Sequence, residues 1–125
     1  RIESRGLGDV YKRQVFTILY QDKKGGLQVQ NRNNKKWYNV PFNKNALIVN
    51  TGRALEFLSG SKFKATNHRV LWNKSKRLSV PFFFEPSYDF KMNKSFLNLK
   101  KSSSKSQIYE KFLNQSLKKF IEYQR

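Results

Sequence analysis

The sequence predicts a mainly β fold that ends in an α-helix, and three observations support this. Between residues 15 and 90, six short segments rich in β-branched and aromatic residues are separated by closely spaced turn signals. Only one stretch between them has the glycine boundaries of a short helix. Apolar residues at helical spacing return near the C-terminus. The pattern favours a sandwich, a barrel or a jelly roll over a parallel sheet.

The predicted elements of this region follow one another with short connections. The first strand is β-branched and aromatic, which predicts that it is buried on both faces, and the mostly apolar fourth strand is also predicted to be buried. The second strand alternates apolar with polar residues and is expected to be half-buried. The strands lie at 15–20, 27–30, 37–40, 46–50, 63–72 and 77–85, with a helix of about two turns between Gly52 and Gly60.

The last part of the chain, 91–125, differs in composition. Residues 91–105 are mostly Lys, Asn and Ser, which predicts a linker. A helix is expected after it, with Ser106 as its N-cap and with an apolar stripe that packs against the sheet. The residues of this stripe are Ile108, Phe112, Leu113, Leu117, Phe120 and Ile121.

The first fourteen residues show no helical or strand periodicity and contain two glycines within three positions. They resemble a translated sequencing adapter, so we expect 1–14 to be foreign to the protein. The chain is therefore divided into this segment, a β domain at 15–90, and a basic linker with a helix at 91–125.

The charge and the cysteine content narrow the function classes. The chain has 26 basic and 8 acidic residues, a net charge of +18, which is typical of proteins that meet nucleic acid, anionic membranes or acidic substrates. The charge is spread along the chain, and Lys occurs with Asn as in products of AT-rich coding sequence. There is no signal peptide, no apolar run of about 20 residues and no cysteine, so we expect a cytoplasmic protein without membrane spans or disulfides.

A short strand near residue 80 brings polar groups together. Arg77 and Ser79 lie on one face of it, with Phe83 further along that face, so a guanidinium and a hydroxyl can meet one carboxylate. An Arg on so apolar a strand needs an anion. With only 8 acidic residues in the chain, both an internal ion pair and a ligand carboxylate remain open.

The single histidine, His68, lies on a predicted strand and shares its face with Thr66 and Val70. A lone histidine in such a place is more often a hydrogen-bonded core residue than a metal ligand. Its surroundings in sequence leave both interpretations open.

Several motifs, in order, give the chain a family resemblance over about residues 15–90. The chain resembles the isopenicillin N synthase-like family of Fe(II)- and 2-oxoglutarate-dependent oxygenases, whose fold is a distorted jelly roll. The resemblance implies a partial double-stranded β-helix here, followed by the C-terminal helix. The motifs are Thr17–Asp22, Gly25–Val29, Trp37, Val40–Pro41, Asn50–Gly52, Lys62–Val70 and Arg77–Phe83.

The resemblance also implies a site. His68 would be an iron ligand, Arg77 and Ser79 would bind the distal carboxylate of 2-oxoglutarate, and Phe83 would line the pocket of a small organic substrate. The implied cofactor is Fe(II), with 2-oxoglutarate and O2 as co-substrates.

The family's other two metal ligands, a His-x-Asp pair, are expected just before residue 15, where the chain reads Val10-Tyr11-Lys12-Arg13-Gln14. They are absent. We therefore expect a truncated, inactive piece that, with sheet edges left unpaired, either aggregates or binds iron weakly.

Two alternatives remain. Some family members are oxidases that do not use 2-oxoglutarate, and this chain could be one of them. A basic nucleic-acid-binding module belongs to a different class and is favoured by Trp37, Tyr38 and Trp72 interleaved with Lys. The substrate and the oligomeric state are not readable from the sequence.

Overall fold

The computed structural model describes residues 14–71, 76–93 and 106–122, with side chains described up to residue 116. It contains eight strands and two helices within these ranges. The strands are β1 Phe16–Gln21, β2 Leu27–Gln30, β3 Trp37–Asn39, β4 Ile48–Thr51, β5 His68–Val70, β6 Ser79–Phe84, β7 Lys91–Met92 and β8 Gln107–Ile108, and the helices are α1 Arg53–Leu58 and α2 Tyr109–Glu122.

The first sheet has the order β4-β1-β6, with both pairs antiparallel. Its centre is β1, whose β-branched and aromatic residues suit a pleated surface. Ile18 of β1 lies opposite Val49 of β4 and opposite Phe82 of β6. The rings of Phe16 and Phe84 stack at 4.7 Å between centroids. Cross-strand contacts of this kind fix the register.

The second sheet has the order β3-β2-β5 and is also antiparallel. Its central strand places Val29 opposite Tyr38 on one side and opposite His68 on the other. Two antiparallel three-stranded sheets whose strands are interleaved along the chain, β1, β4 and β6 in one and β2, β3 and β5 in the other, confirm the predicted jelly-roll class. The predicted strand at 63–72 is shorter than expected, because only His68–Val70 pairs with a neighbour.

The outer face of the first sheet is exposed, contrary to the prediction that the first and fourth strands are buried. Val49 and Leu47 are 64% and 58% exposed, and Phe82 of β6 is 61% exposed. The buried side chains of β1 are instead the polar Thr17 and Gln21, each 5% exposed. Composition showed that these strands are apolar, but not which face has a neighbour.

Gln14, the last residue of the segment predicted to be foreign, packs against the β domain. Gln14 is only 1% exposed, and its side chain accepts a hydrogen bond from the Thr17 hydroxyl at 2.9 Å. A Cβ added at Gly52 would lie 1.9 Å from the Gln14 carbonyl oxygen, so this glycine permits the close approach.

The C-terminal segment is part of the core. Met92 and Tyr109 are buried with Ala54 and Leu58 of α1. Residues 91–92 pair with 107–108 inside the region predicted as a linker and the start of a helix. Helix α2 begins at Tyr109, so Ser106 is not its N-cap as predicted, and Ile108 lies in a strand.

Helix α2 packs against α1 through its described side chains. The rings of Phe57 and Phe112 lie 5.8 Å apart, and Phe112 and Leu113 contact the core cluster. The remaining residues of the predicted stripe lie outside the described side chains. Among the described residues no helix is both long and apolar enough to cross a bilayer.

Candidate functional site

Arg77 lies just before β6 and is held from one side only. Its Nε donates a hydrogen bond to the Gly25 carbonyl at 3.1 Å. Its Nη2 atom is buried and has no hydrogen-bond partner among the described residues. A buried guanidinium nitrogen without an acceptor is costly, so this atom marks a place where an anion is expected.

The turn that receives Arg77 is built on two glycines. Gly25 and Gly26 have φ angles of +60° and +94°, which L side chains rarely adopt. The Gly26 carbonyl accepts from the Leu71 amide at 2.8 Å, just after β5. The turn between β1 and β2 therefore contacts two other segments. One is Arg77, just before β6 of the first sheet, and the other is Leu71, just after β5 of the second sheet.

Asp22 is the acidic residue closest to Arg77 in this turn, but backbone amides occupy its carboxylate. Oδ2 accepts from the Leu78 N–H at 2.6 Å, and Oδ1 accepts from the Lys24 N–H at 2.9 Å. The Leu78 bond is the largest of the effects that lower the pKa of Asp22; the Lys24 N–H and the charges of Arg77 and Lys24 add to it, against partial desolvation.

The ion pairs seen among the described residues do not involve Arg77. They join Glu56 to Arg32 and to Lys64. The sequence left open an internal ion pair and a ligand carboxylate; within the described residues Arg77 forms no direct ion pair, and Asp22 is an acidic group whose charge interacts with it.

Ser79 begins β6 and lies opposite Gln21 of β1. Gln21 is buried; its Nε2 donates to the Val40 carbonyl at 3.3 Å, whereas its Oε1 has no hydrogen-bond partner among the described residues. The orphaned atoms of Gln21 and Arg77 thus both lie near the start of β6. This end of the first sheet is polar, partly buried and incompletely hydrogen-bonded.

The predicted alternation along β6 agrees with the observed exposure except at Pro81, which lies on the face of Ser79 and Phe83 but is exposed. Arg77, Ser79 and Phe83 are half-buried. The residues of the opposite face are all exposed: Leu78, Val80, Phe82 and Phe84. Phe83 lies four residues beyond Ser79, about 13 Å along the strand at the usual rise. Its assignment to a substrate pocket remains a prediction.

His68 lies on β5, in the second sheet, and is half-buried. Its Nδ1 is 3.0 Å from the Thr66 carbonyl oxygen. A carbonyl oxygen only accepts hydrogen bonds, so Nδ1 carries the proton, and in the neutral ring the lone pair is on Nε2. A backbone carbonyl that orients a histidine in this way is typical of metal-binding histidines.

The segment before His68 is anchored at two points. The Ala65 N–H donates to Glu56 Oε2 at 3.0 Å, and the Thr66 N–H donates to the Thr51 carbonyl at 3.2 Å. Both acceptors belong to α1 or the strand before it. The Thr66 carbonyl is therefore in a fixed position when it binds the histidine ring.

The residues present do not complete an iron site. A non-heme Fe(II) oxygenase centre uses two histidines and one carboxylate. The chain has one histidine, and no group of three His, Cys, Asp or Glu side chains able to hold a metal occurs among the described residues. His68 fits as one ligand of such a centre, and the chain supplies no second histidine.

The aromatic residues that favoured nucleic-acid binding are not all available. The Arg69 guanidinium lies 4.2 Å from the Trp37 ring centroid, so the chain's own cation covers one face of this ring. Tyr38 is 48% exposed, and Trp72 lies outside the described residues.

Two residues of the site were not predicted as site residues. Gln21 is a polar residue on the inner side of an apolar strand, in line with Thr17, and that polar alternation was the available signal. Asp22 entered the sequence analysis only as the last residue of the motif Thr17–Asp22, because its link to Leu78 spans 56 positions in sequence.

The fold agrees with a comparison to known families. Residues 3–86 match the 2OG-Fe(II) oxygenase superfamily, and the chain belongs to this family. The match includes residues 3–14, so it does not set them apart from the rest. That they are foreign to the protein stays a prediction.

Two curated relatives illustrate the similarity. A probable iron/ascorbate oxidoreductase of Dictyostelium discoideum is 40% identical over 86 residues, which are 67% of this chain and 23% of that protein. Feruloyl CoA ortho-hydroxylase F6H1-1 of Ipomoea batatas is 42% identical over 73 residues, 58% of this chain and 20% of the relative. The chain thus spans about a quarter or less of their length.

Solved structures of similar fold contain the expected ligands. A full-length Neurospora crassa protein, solved in complex with alpha-KG, superposes with a TM-score of 0.68 at 25% identity, over 84% of this chain and 35% of that one. JOX2, solved with 2OG, Fe and JA, gives a TM-score of 0.65 at 29% identity, over 79% of this chain and 30% of JOX2.

Proposed function

We propose that this chain is the part of an Fe(II)- and 2-oxoglutarate-dependent oxygenase that binds the distal carboxylate of 2-oxoglutarate. Arg77 and Ser79 are the binding residues, and His68 is one iron ligand. The observation that carries the proposal is the buried Nη2 of Arg77, which has no acceptor among the described residues.

The chemistry of the two side chains suits a carboxylate. A guanidinium offers charged, planar donors, and an adjacent hydroxyl offers one more. The charge of Asp22 interacts with Arg77, but its described side-chain hydrogen bonds go to the Lys24 and Leu78 amides, and Arg77 Nη2 has no acceptor among the described residues. A ligand carboxylate would provide the missing acceptor and offset the cost of burying the guanidinium.

For the whole protein we propose the oxidation or hydroxylation of a small organic molecule, coupled to decarboxylation of 2-oxoglutarate. Family membership supports this, as does the similarity to a feruloyl CoA ortho-hydroxylase. When bound, Fe(II) would supply the site at which O2 is activated. Because the chain contains one histidine, we expect no turnover from it alone. A cytoplasmic location also remains a proposal.

A binding comparison tests the carboxylate assignment. The 125-residue chain is titrated with 2-oxoglutarate and with 2-oxobutyrate, which lacks the distal carboxylate. We expect 2-oxoglutarate to bind more tightly, and Arg77→Ala to weaken it by about 10- to 100-fold, the effect of losing a charge-assisted hydrogen bond. Arg77→Lys is the matched charge control and should restore only part of the affinity.

The same titrations also show which results would refute the carboxylate assignment. Equal affinity for the two acids, or equal 2-oxoglutarate affinity in wild type and Arg77→Ala, would refute the assignment. Ser79→Ala should weaken the binding of 2-oxoglutarate and leave the affinity for 2-oxobutyrate unchanged. If the chain binds 2-oxobutyrate as well as 2-oxoglutarate, an oxidase that does not use 2-oxoglutarate becomes the better description.

A further inference from the structure

One carboxylate connects the two segments that hold Arg77 in place. Asp22 Oδ2 accepts from the N–H of Leu78, the residue directly after Arg77. Asp22 Oδ1 accepts from Lys24 N–H, inside the turn whose next residue, Gly25, receives Arg77 Nε. The backbone beside Arg77 and the acceptor of its side chain are therefore both tied to Asp22.

The geometry points to Asp22 as the positioning residue for Arg77: it fixes the guanidinium so that Nη2 faces the ligand carboxylate. This inference rests on the proposed binding of 2-oxoglutarate by Arg77 and goes beyond it, because Asp22 itself does not touch the ligand.

The two bonds of Asp22 have separable effects. The bond to Lys24 closes a local turn, as Asp does in many loops. The side-chain bond to Leu78 joins residues 56 positions apart and adds to the backbone bond from the Asp22 N–H to the Leu78 carbonyl at 3.0 Å, which side-chain substitutions leave in place. If Asp22 only shaped the turn, losing the Leu78 bond would leave Arg77 and its ligand unaffected.

Two substitutions weaken these bonds, and Asp22→Ser is the one that removes the Leu78 bond alone. In Asp22→Asn the amide nitrogen must face one of the two backbone N–H groups, so one bond is lost. In Asp22→Ser the hydroxyl still accepts from Lys24 N–H but is too short to reach Leu78. Asp89→Asn, in an exposed turn after β6, removes the same charge and is the control.

The experiment measures 2-oxoglutarate affinity, urea unfolding and hydrogen exchange of the Arg77 Nε–H in the full chain. We expect both Asp22 variants to fold, to bind 2-oxoglutarate about tenfold more weakly, and to lose exchange protection at Arg77 Nε. Asp89→Asn should change the affinity by less than about twofold.

The possible failures are distinct. If Arg77→Ala weakens binding but neither Asp22 variant does, this inference is wrong and the proposed function stands. Unchanged binding in Arg77→Ala would refute both. Weaker binding with unchanged protection at Arg77 Nε, or a loss of folding in both Asp22 variants, would make Asp22 a folding residue and overturn the positioning role.

Discussion

The Thr66 carbonyl accepts a hydrogen bond from His68 Nδ1 at 3.0 Å, and this contact fixes which ring nitrogen is protonated. The lone pair of the neutral ring is then on Nε2. We predict that nitrogen NMR of the metal-free chain shows the Nδ1–H tautomer. The Nε2–H tautomer would contradict the described contact.

The second prediction concerns metal binding by His68. We predict that Fe(II), added without oxygen, binds weakly, because one ligand cannot replace the three of a complete centre. The paramagnetic broadening should be centred on His68 and should be lost in His68→Gln. Tight stoichiometric binding, or broadening that survives in His68→Gln, would refute the assignment of His68.

The stability of the chain should depend on pH through Asp22. Its folded-state pKa lies below the ordinary value of 3.8, chiefly because the Leu78 N–H stabilises the charged carboxylate. The charged form therefore stabilises the fold fully above the unfolded-state pKa, and this contribution is lost as pH falls through the folded-state value.

A comparison of wild type with Asp22→Asn measures this effect. The difference in their unfolding free energies should be constant near neutral pH and should shrink below about pH 4. A difference that grows as the pH falls would contradict the direction of the pKa shift. Asp89→Asn is again the control.

The exposed outer face of the first sheet should make the chain self-associate. Val49, Val80 and Phe82 are 64%, 54% and 61% exposed, so they form part of an apolar surface without a described neighbour. The net charge of +18 opposes association, so added salt should increase it by screening.

Changing Val80 and Phe82 together to Thr should raise the monomer fraction in sedimentation while the circular dichroism stays the same. Thr is a good strand former, so β6 should persist. Phe83→Thr, on the half-buried face, is the matched control and should lower stability instead. A wild-type chain that stays monomeric at high salt would contradict this account.

The contact between Arg69 and Trp37 should contribute measurably to the second sheet. The guanidinium lies 4.2 Å from the ring centroid, and Arg69 Nε donates to Gln28 Oε1 at 2.9 Å. We predict that Arg69→Lys lowers the unfolding free energy by about 1 kcal/mol, because Lys lacks the planar, stacking guanidinium.

A double-mutant cycle with Trp37→Leu isolates the pair. The coupling energy should be positive, and the effect of Arg69→Lys should shrink when Trp37 is absent. Arg53→Lys, on the exposed side of α1, is the control and should have no effect. Additive effects of the two substitutions would show that the ring contact contributes nothing.

Much of the fold follows from local pattern. The segments that became β1 to β6 and α1 were recognised because β-branched and aromatic runs end at glycine, proline and Asn-rich turns. The shared face of Arg77 and Ser79 followed from strand periodicity alone. The double-stranded β-helix and the role of His68 came from the family resemblance, not from periodicity.

The rest depends on contacts between distant residues. The pairing of β7 with β8 joins two strands of only two residues, which have no detectable period, and it depends on burial of Met92 and Tyr109 beside α1. Likewise, apolar composition does not predict that one face of β4 and β6 is exposed to solvent, because burial depends on whether another layer covers that face.

The direct test of the account is to observe the Arg77 side chain while 2-oxoglutarate binds. The chain is labelled at its arginine side chains and titrated with 2-oxoglutarate carrying a carbon isotope label at the distal carboxylate. We predict that the Arg77 guanidinium signals shift with the binding curve and contact the labelled carboxylate. Guanidinium signals that stay unchanged at saturation, or a labelled carboxylate that contacts other residues instead, would contradict the assignment of Arg77 as its binding residue.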